Sequence, residues 1–218
     1  MSFTEMQLKR IEELYLAIES RKEHEYAAPT YKDSPCLKEM AEIILSQHGK
    51  DAETLEESIP ALWYLTECYD KMGRPGMSVK FYTPLIENHV LLMKLKGYND
   101  EDIEDLESCF YCAAKARNYY EPDDCTDIIN IVSGILPNDN INELLASAQE
   151  SRRSSIKNDP VEKTEQYLAA IDEVEEKIDK EQTLDFCLEY WNLKAQFLFE
   201  HDIIWRSPAQ LNPHVMFD

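Results

Sequence analysis

Three small constellations in this sequence contain residue types that do chemistry. Cys109 and Cys112 form a C-x-x-C, with Cys125 thirteen residues on. Thiolates at such spacing hold zinc or exchange disulfides, but zinc needs four ligands, no histidine lies between 89 and 201, and a second C-x-x-C is missing. Cys-Phe-Tyr-Cys-Ala-Ala also reads as the buried stripe of a helix, so core cysteines are expected there. His201-Asp202 is a lone His-Asp pair; a metal site built on it would need a further His upstream and a further Asp downstream, and Asp218 is the sole Asp after it. Ser154-Ser155-Ile156-Lys157 fits the short Ser-x-x-Lys pattern without the partner motifs that give it meaning. None of the five histidines has a Glu three residues before it, and there is no H-E-x-x-H. With 5 glycines there is no P-loop, dinucleotide fingerprint or nucleophile elbow. The expectation is no catalytic group, no metal and no cofactor.

Charge narrows the partners. The chain of 218 residues carries 43 Asp plus Glu against 22 Lys plus Arg, a formal net charge of −21. Residues 1–109 hold 12 basic and 22 acidic side chains and residues 110–218 hold 10 and 21, so no acidic tail hangs from a neutral body. A polyanion repels such a surface, so neither nucleic acid nor an anionic membrane is an expected partner. The apolar content of 44% is enough for a core. Glu12 and Glu13 fall where a signal peptide would need an apolar stretch, and the longest apolar run, Cys109 to Ala114, is far short of a membrane span. The expected compartment is the cytoplasm, with the six cysteines reduced.

The elements that must position any site read as helices. Thr4 caps a first helix expected to reach about His24, and Ser34-Pro35 opens a second ending at Gly49. Ser58 with Pro60 is expected to open a third that stops at Gly73. A helix resumes at Met77; Pro84 either kinks it or ends it near Tyr82, with Thr83 capping the restart. Gly97 closes that segment, and Asn99 caps the next ahead of a run of acidic residues suited to a helix N-terminus. Pro122 is expected to end it, and Asp123 or Asp124 to begin another. Residues 138–159 begin as a helix around Ile141. Asn158-Asp159-Pro160 marks a new start, and Thr183 opens the last long helix. No segment alternates like a strand. The fold class is all-α: stacked antiparallel helical hairpins in a single domain over 1–218, divisible into 1–156 and a C-terminal hairpin with an apolar tail over 157–218.

One segment rises above this background. Leu62, Leu65, Thr66, Tyr69 and Gly73 are followed by Ser78, Tyr82 and Leu85. This pattern resembles a tetratricopeptide (TPR) repeat, a helix–turn–helix unit of 34 residues. Thr66 stands for the usual Gly or Ala and Leu62 for the usual Trp, and no second segment fits as well. The resemblance implies a right-handed solenoid, the alternative being an irregular helical bundle. It also implies that one face of the first helix, Trp63, Glu67, Asp70 and Lys71, lines a concave surface. A tryptophan beside carboxylates suits a protein or peptide with an apolar anchor and basic neighbours.

The function expected on these grounds is that of a non-enzymatic scaffold binding a protein or peptide on an acidic concave face. The alternative is an acidic inhibitor or immunity-type protein that neutralises a basic partner. The apolar tail from Ile203 to Asp218 is expected to fold back as a strap over the last hairpin, its other reading being a docking segment.

Overall fold

A computed structural model describes residues 3–22, 27–47, 51–119, 125–153, 156–181 and 187–217. No strand occurs among them. Ten helices follow one another: α1 (Glu5–Glu19), α2 (Ser34–Leu45), α3 (Ala52–Lys71), α4 (Pro75–Lys96), α5 (Asp100–Arg117), α6 (Thr126–Val132), α7 (Asn138–Arg153), α8 (Glu165–Lys180), α9 (Cys187–Phe199) and the single turn α10 (Pro208–Leu211). The helices pack as antiparallel pairs, α1 on α2, α3 on α4 and α8 on α9 from neighbours in sequence, and α5 on α7 across the short α6, which itself packs on α4.

Local chemistry sets most boundaries. Thr4 and Gln7 form a capping box at α1, and Asn99 and Asp102 form another at α5. At the end of α3, Gly73 takes φ of 68° and the amides of Arg74 and Gly73 reach back to the carbonyls of Tyr69 and Asp70, a Schellman closure. Pro75 then starts α4 where its missing N–H costs nothing.

One expected boundary is corrected and one open alternative is resolved. The third helix begins at Ala52 rather than near Ser58, because Asp51 caps it by accepting from the amide of Thr54, and Pro60 lies inside it. α4 runs through Pro84 without a restart. An interior proline costs about 3 kcal/mol. Phe81, Tyr82, Leu85 and Ile86 flank it and are all buried, and each large apolar side chain buried contributes about 1.5–3 kcal/mol; packing on both sides of Pro84 outweighs the lost bond. α1 stops at Glu19, and α5 stops at Arg117 with Asn118 as its cap. The expected stops at His24, Gly49 and Pro122, the starts at Asp123, Asp124 and Thr183, and Ser154-Ser155 lie outside the described residues.

Two apolar clusters result. One runs from Phe3 to Ile141 and is built on α1 to α7; the other joins Tyr167, Ile171, Val174 and Ile178 of α8 to Leu198, Ile203 and Trp205. Polar contacts weld them. Ser34 Oγ and Lys38 Nζ of α2 donate to Asp172 of α8 at 2.8 and 2.5 Å, and Arg74 pairs with the same carboxylate. The fourth hairpin therefore returns to the first and to the α3–α4 turn, whereas a linear solenoid leaves each unit touching only its neighbours.

The segment after α9 is a strap. Ile203 and Trp205 enter the second cluster, Trp205 Nε1 donates to Glu162 at 2.6 Å, and Asp159 accepts from the amide and guanidinium of Arg206 at 2.8 and 2.9 Å. Asn212 exchanges two bonds of 2.9 Å with the backbone of Lys157. Phe217 ends edge-on against Trp191, with centroids 5.0 Å apart.

Candidate functional site

The expected face of α3 divides into two pairs. Trp63 and Asp70 turn towards α4 and α5, while Glu67 and Lys71 form an exposed i,i+4 ion pair of 2.8 Å on the flank nearer Glu19 of α1. The helix explains the split: Trp63 and Asp70 lie seven residues apart and nearly superpose in projection, and Lys71 is rotated by most of a quadrant.

Trp63 is half-buried. Its indole N–H donates to Nε2 of His89 on α4 at 3.2 Å, and its ring meets Tyr82 edge-on at 6.4 Å between centroids. Tyr82 and His89 are seven residues apart on α4, so they too share one face. The hydroxyls of Tyr82 and Ser78 donate to the two oxygens of Asp70 at 2.8 and 2.5 Å. Two donors from the helix across the turn thus fix a carboxylate at the C-terminal end of α3. Asp70 remains exposed as a residue, yet its carboxylate is crowded on the α4 side. That enclosure pushes its pKa above the ordinary aspartate value, against the pull of both hydroxyls and of Lys115.

α5 completes the face. Burial pushes the His89 imidazole below its usual pKa, and Asp105 and Asp102 of α5 act in the opposite direction. A neutral imidazole is what the geometry requires, because only unprotonated Nε2 accepts the Trp63 proton. Cys112 of α5 sits half-buried near Asp70 and Lys115, its thiol pKa raised by burial and by Asp70. Tyr82 and His89, both buried, thus back the half-buried Trp63 indole, with the Asp70 carboxylate held by Tyr82 and with Asp102 and Asp105 of α5 acting on His89.

Sequence reasoning placed Trp63 and Asp70 on this face. It missed His89, whose signal was the seven-residue spacing from Tyr82. It read Asp102 only as part of a helix start, and Asp102 does serve the Asn99 capping box as well.

The other constellations resolve structurally. Cys109 is wholly buried in α5, which drives its thiol pKa well above normal and leaves it unreactive. His201 and Asp202 form the C-terminal cap of α9. The amides of Ile203 and Asp202 bond to the carbonyls of Leu198 and Phe199, both at 3.0 Å, and Asp202 takes φ of 58°. Among the described residues, no group of three or more His, Cys, Asp or Glu is placed to hold a metal ion, and no helix is long and apolar enough to cross a membrane. Compared with known proteins, the chain matches no family model, no curated protein and no solved structure.

Proposed function

We propose that this chain is a binding scaffold of TPR-like helical hairpins, and that it takes a protein or peptide segment across the α3–α4–α5 face. The observation that carries this reading is the seating of Trp63. A hydrogen bond donated to His89 and the edge of Tyr82 hold an indole that still reaches solvent, so the anchor loses little side-chain freedom when a partner covers it. Asp70 on the same helix face, and Asp102 and Asp105 beside His89, favour Lys or Arg beside an apolar anchor residue in the partner. The same reading places the protein in the cytoplasm.

The test compares wild type with Trp63→Ala as bait in native lysate, with the bound segment located by cross-linking and mass spectrometry. Cross-links from the partner should fall on α3 and α5, and Trp63→Ala should lose the partner while keeping its helical circular dichroism. Recovery that does not depend on Trp63 would sink the reading.

The charge of −21 favours a second reading, an acidic protein that neutralises a basic one. Such a complex forms over a broad surface and weakens steeply with salt. Recovery abolished by salt but indifferent to Trp63 selects it over the first.

A further inference from the structure

A cavity of about 730 Å³ lies where the fourth hairpin returns to the first, between the two apolar clusters. Its volume is in the range of small-molecule sites, and such sites favour junctions between packed units. Its charge is unlike the rest of the chain. Arg21, Lys22, Lys32 and Arg74 line it against three acids, Asp33, Glu175 and Asp179, in a molecule with nearly two acids per base.

Arg74 is the group to examine. Its side chain is 9% exposed, and its Nη1 alone is engaged, by Ser34 Oγ and Asp172. Nε and Nη2 have no partner among the described residues. Nor are they among the side-chain atoms sealed from solvent without a bond, which are found on Glu57, Tyr69 and His201. The Nε–Nη2 edge is therefore not sealed, and Arg74 is one of the residues that line the cavity. Two arginines of this chain grip a carboxylate by that edge: Arg10 holds Glu39 through Nε and Nη2 at 2.7 and 2.8 Å, and Arg206 holds Asp159 through the same two atoms, while Arg117 holds Asp127 through Nη1 and Nη2.

The cavity's own acids are committed elsewhere. Asp33 binds Arg21 at 2.6 Å, Asp179 takes the Tyr31 hydroxyl at 2.9 Å and Lys32 at 3.2 Å, and Glu175 accepts from the Tyr190 hydroxyl at 2.6 Å. None of them pairs with Arg74. Met72, Ile178 and the ring of Tyr190 supply apolar wall beside it.

We propose that this cavity binds a small organic carboxylate, held in two parallel hydrogen bonds on the Nε–Nη2 edge of Arg74 with its apolar or aromatic body against Tyr190 and Ile178. The site is separate from the α3–α4–α5 face and does not depend on it.

The test titrates the full chain with phenylacetate by saturation-transfer NMR and calorimetry, with benzylamine as the cation of similar shape and inorganic phosphate as the competing anion. Phenylacetate should saturate with a dissociation constant of about 1 mM or tighter, as expected for so small a ligand, and benzylamine should not bind. Arg74→Lys keeps a charge for Asp172 but removes the two-donor edge, and should weaken phenylacetate at least tenfold with an unchanged melting temperature. Should Arg74→Lys fail to fold, Ala28→Trp at the exposed rim of the cavity should block the ligand instead. The proposal falls if phenylacetate does not bind, if benzylamine or phosphate binds as well or better, or if the folded Arg74→Lys or Ala28→Trp variant binds phenylacetate like wild type.

Discussion

The indole of Trp63 donates its proton to Nε2 of His89 at 3.2 Å, across the α3–α4 hairpin. This bond exists only while His89 is neutral, and it makes the half-buried anchor of the proposed binding face a reporter on a buried base.

The pH dependence follows from the sign of the His89 shift. Burial holds the folded imidazole below its ordinary pKa of about 6.5, so at mildly acidic pH the unfolded chain binds a proton that the folded chain does not. The stability contribution of His89 is complete above about pH 6.5. It declines as pH falls from there towards the depressed folded value, and it levels off once the folded imidazole is protonated too. In an NMR titration of the three tryptophan indole N–H signals, the Trp63 signal should move in that acidic window and His89→Gln should abolish the movement. A Trp63 signal that titrates with a midpoint at or above the ordinary histidine value would contradict the assignment.

Asp202 gives a prediction of opposite sign for stability. It sits at φ of 58° as the αL residue of the α9 cap, a conformation costing a non-glycine residue roughly 1 kcal/mol. Asp202→Gly should raise stability by about 0.5–1 kcal/mol in urea unfolding. Asp202→Ala should give none of that gain. A loss in Asp202→Gly would mean that the carboxylate matters more than the backbone.

These two sites show what sequence patterns carry and what they do not. The caps at Thr4 and Asn99 and the turn at Gly73 are local, with signal and structure a few residues apart. Pro60 misled because a proline after a serine reads as a helix start, whereas the real start depends on Asp51 and on burial of Leu55 and Leu62 further along. That Trp63 and Asp70 of the candidate face lie on one side of α3 was legible from their spacing. The His89, Asp105 and Cys112 half depends on how α5 crosses α4, which no local pattern encodes. The convergence of Ser34, Lys38 and Arg74 on Asp172 spans up to 138 positions, and a charged residue on an amphipathic helix gives no sign of which distant cation it meets.

The strap should be releasable at one ion pair. Burial alone would raise the Asp159 pKa, but the Arg206 guanidinium and the amides of Val161 and Arg206 outweigh it and hold the carboxyl below its ordinary value. The contribution is thus full above the unfolded aspartate value of about 3.9 and is lost as pH falls through the folded one. Asp159→Asn should cost about 1–3 kcal/mol, since the carboxylate is nearly buried while accepting charge-assisted bonds. In limited proteolysis the segment after α9 should be cut faster in Asp159→Asn than in wild type. Equal cleavage rates would show that Trp205 and Asn212 hold the strap without it.

Lys194 tests the second apolar cluster. Its ammonium lies 5.1 Å from the ring centroid of Trp205 and 5.7 Å from those of Tyr167 and Tyr190, and 3.8 Å from Glu175. Burial lowers its pKa while Glu162 and Glu175 raise it. Glu162, buried and bonded to the Trp205 indole, has its own pKa raised by the same burial, with Lys194 pulling the other way. Lys194→Met keeps the stem's volume and removes the charge. It should therefore cost about 3–5 kcal/mol, because it leaves a carboxylate in an aromatic enclosure without its counter-ion. Lys194→Met/Glu162→Gln should recover more than half of that loss, since a neutral pair of similar shape no longer needs the ion. If the double variant is no more stable than Lys194→Met in chemical denaturation, the loss comes from the packing and cation–π contacts of the lysine rather than from the stranded charge of Glu162.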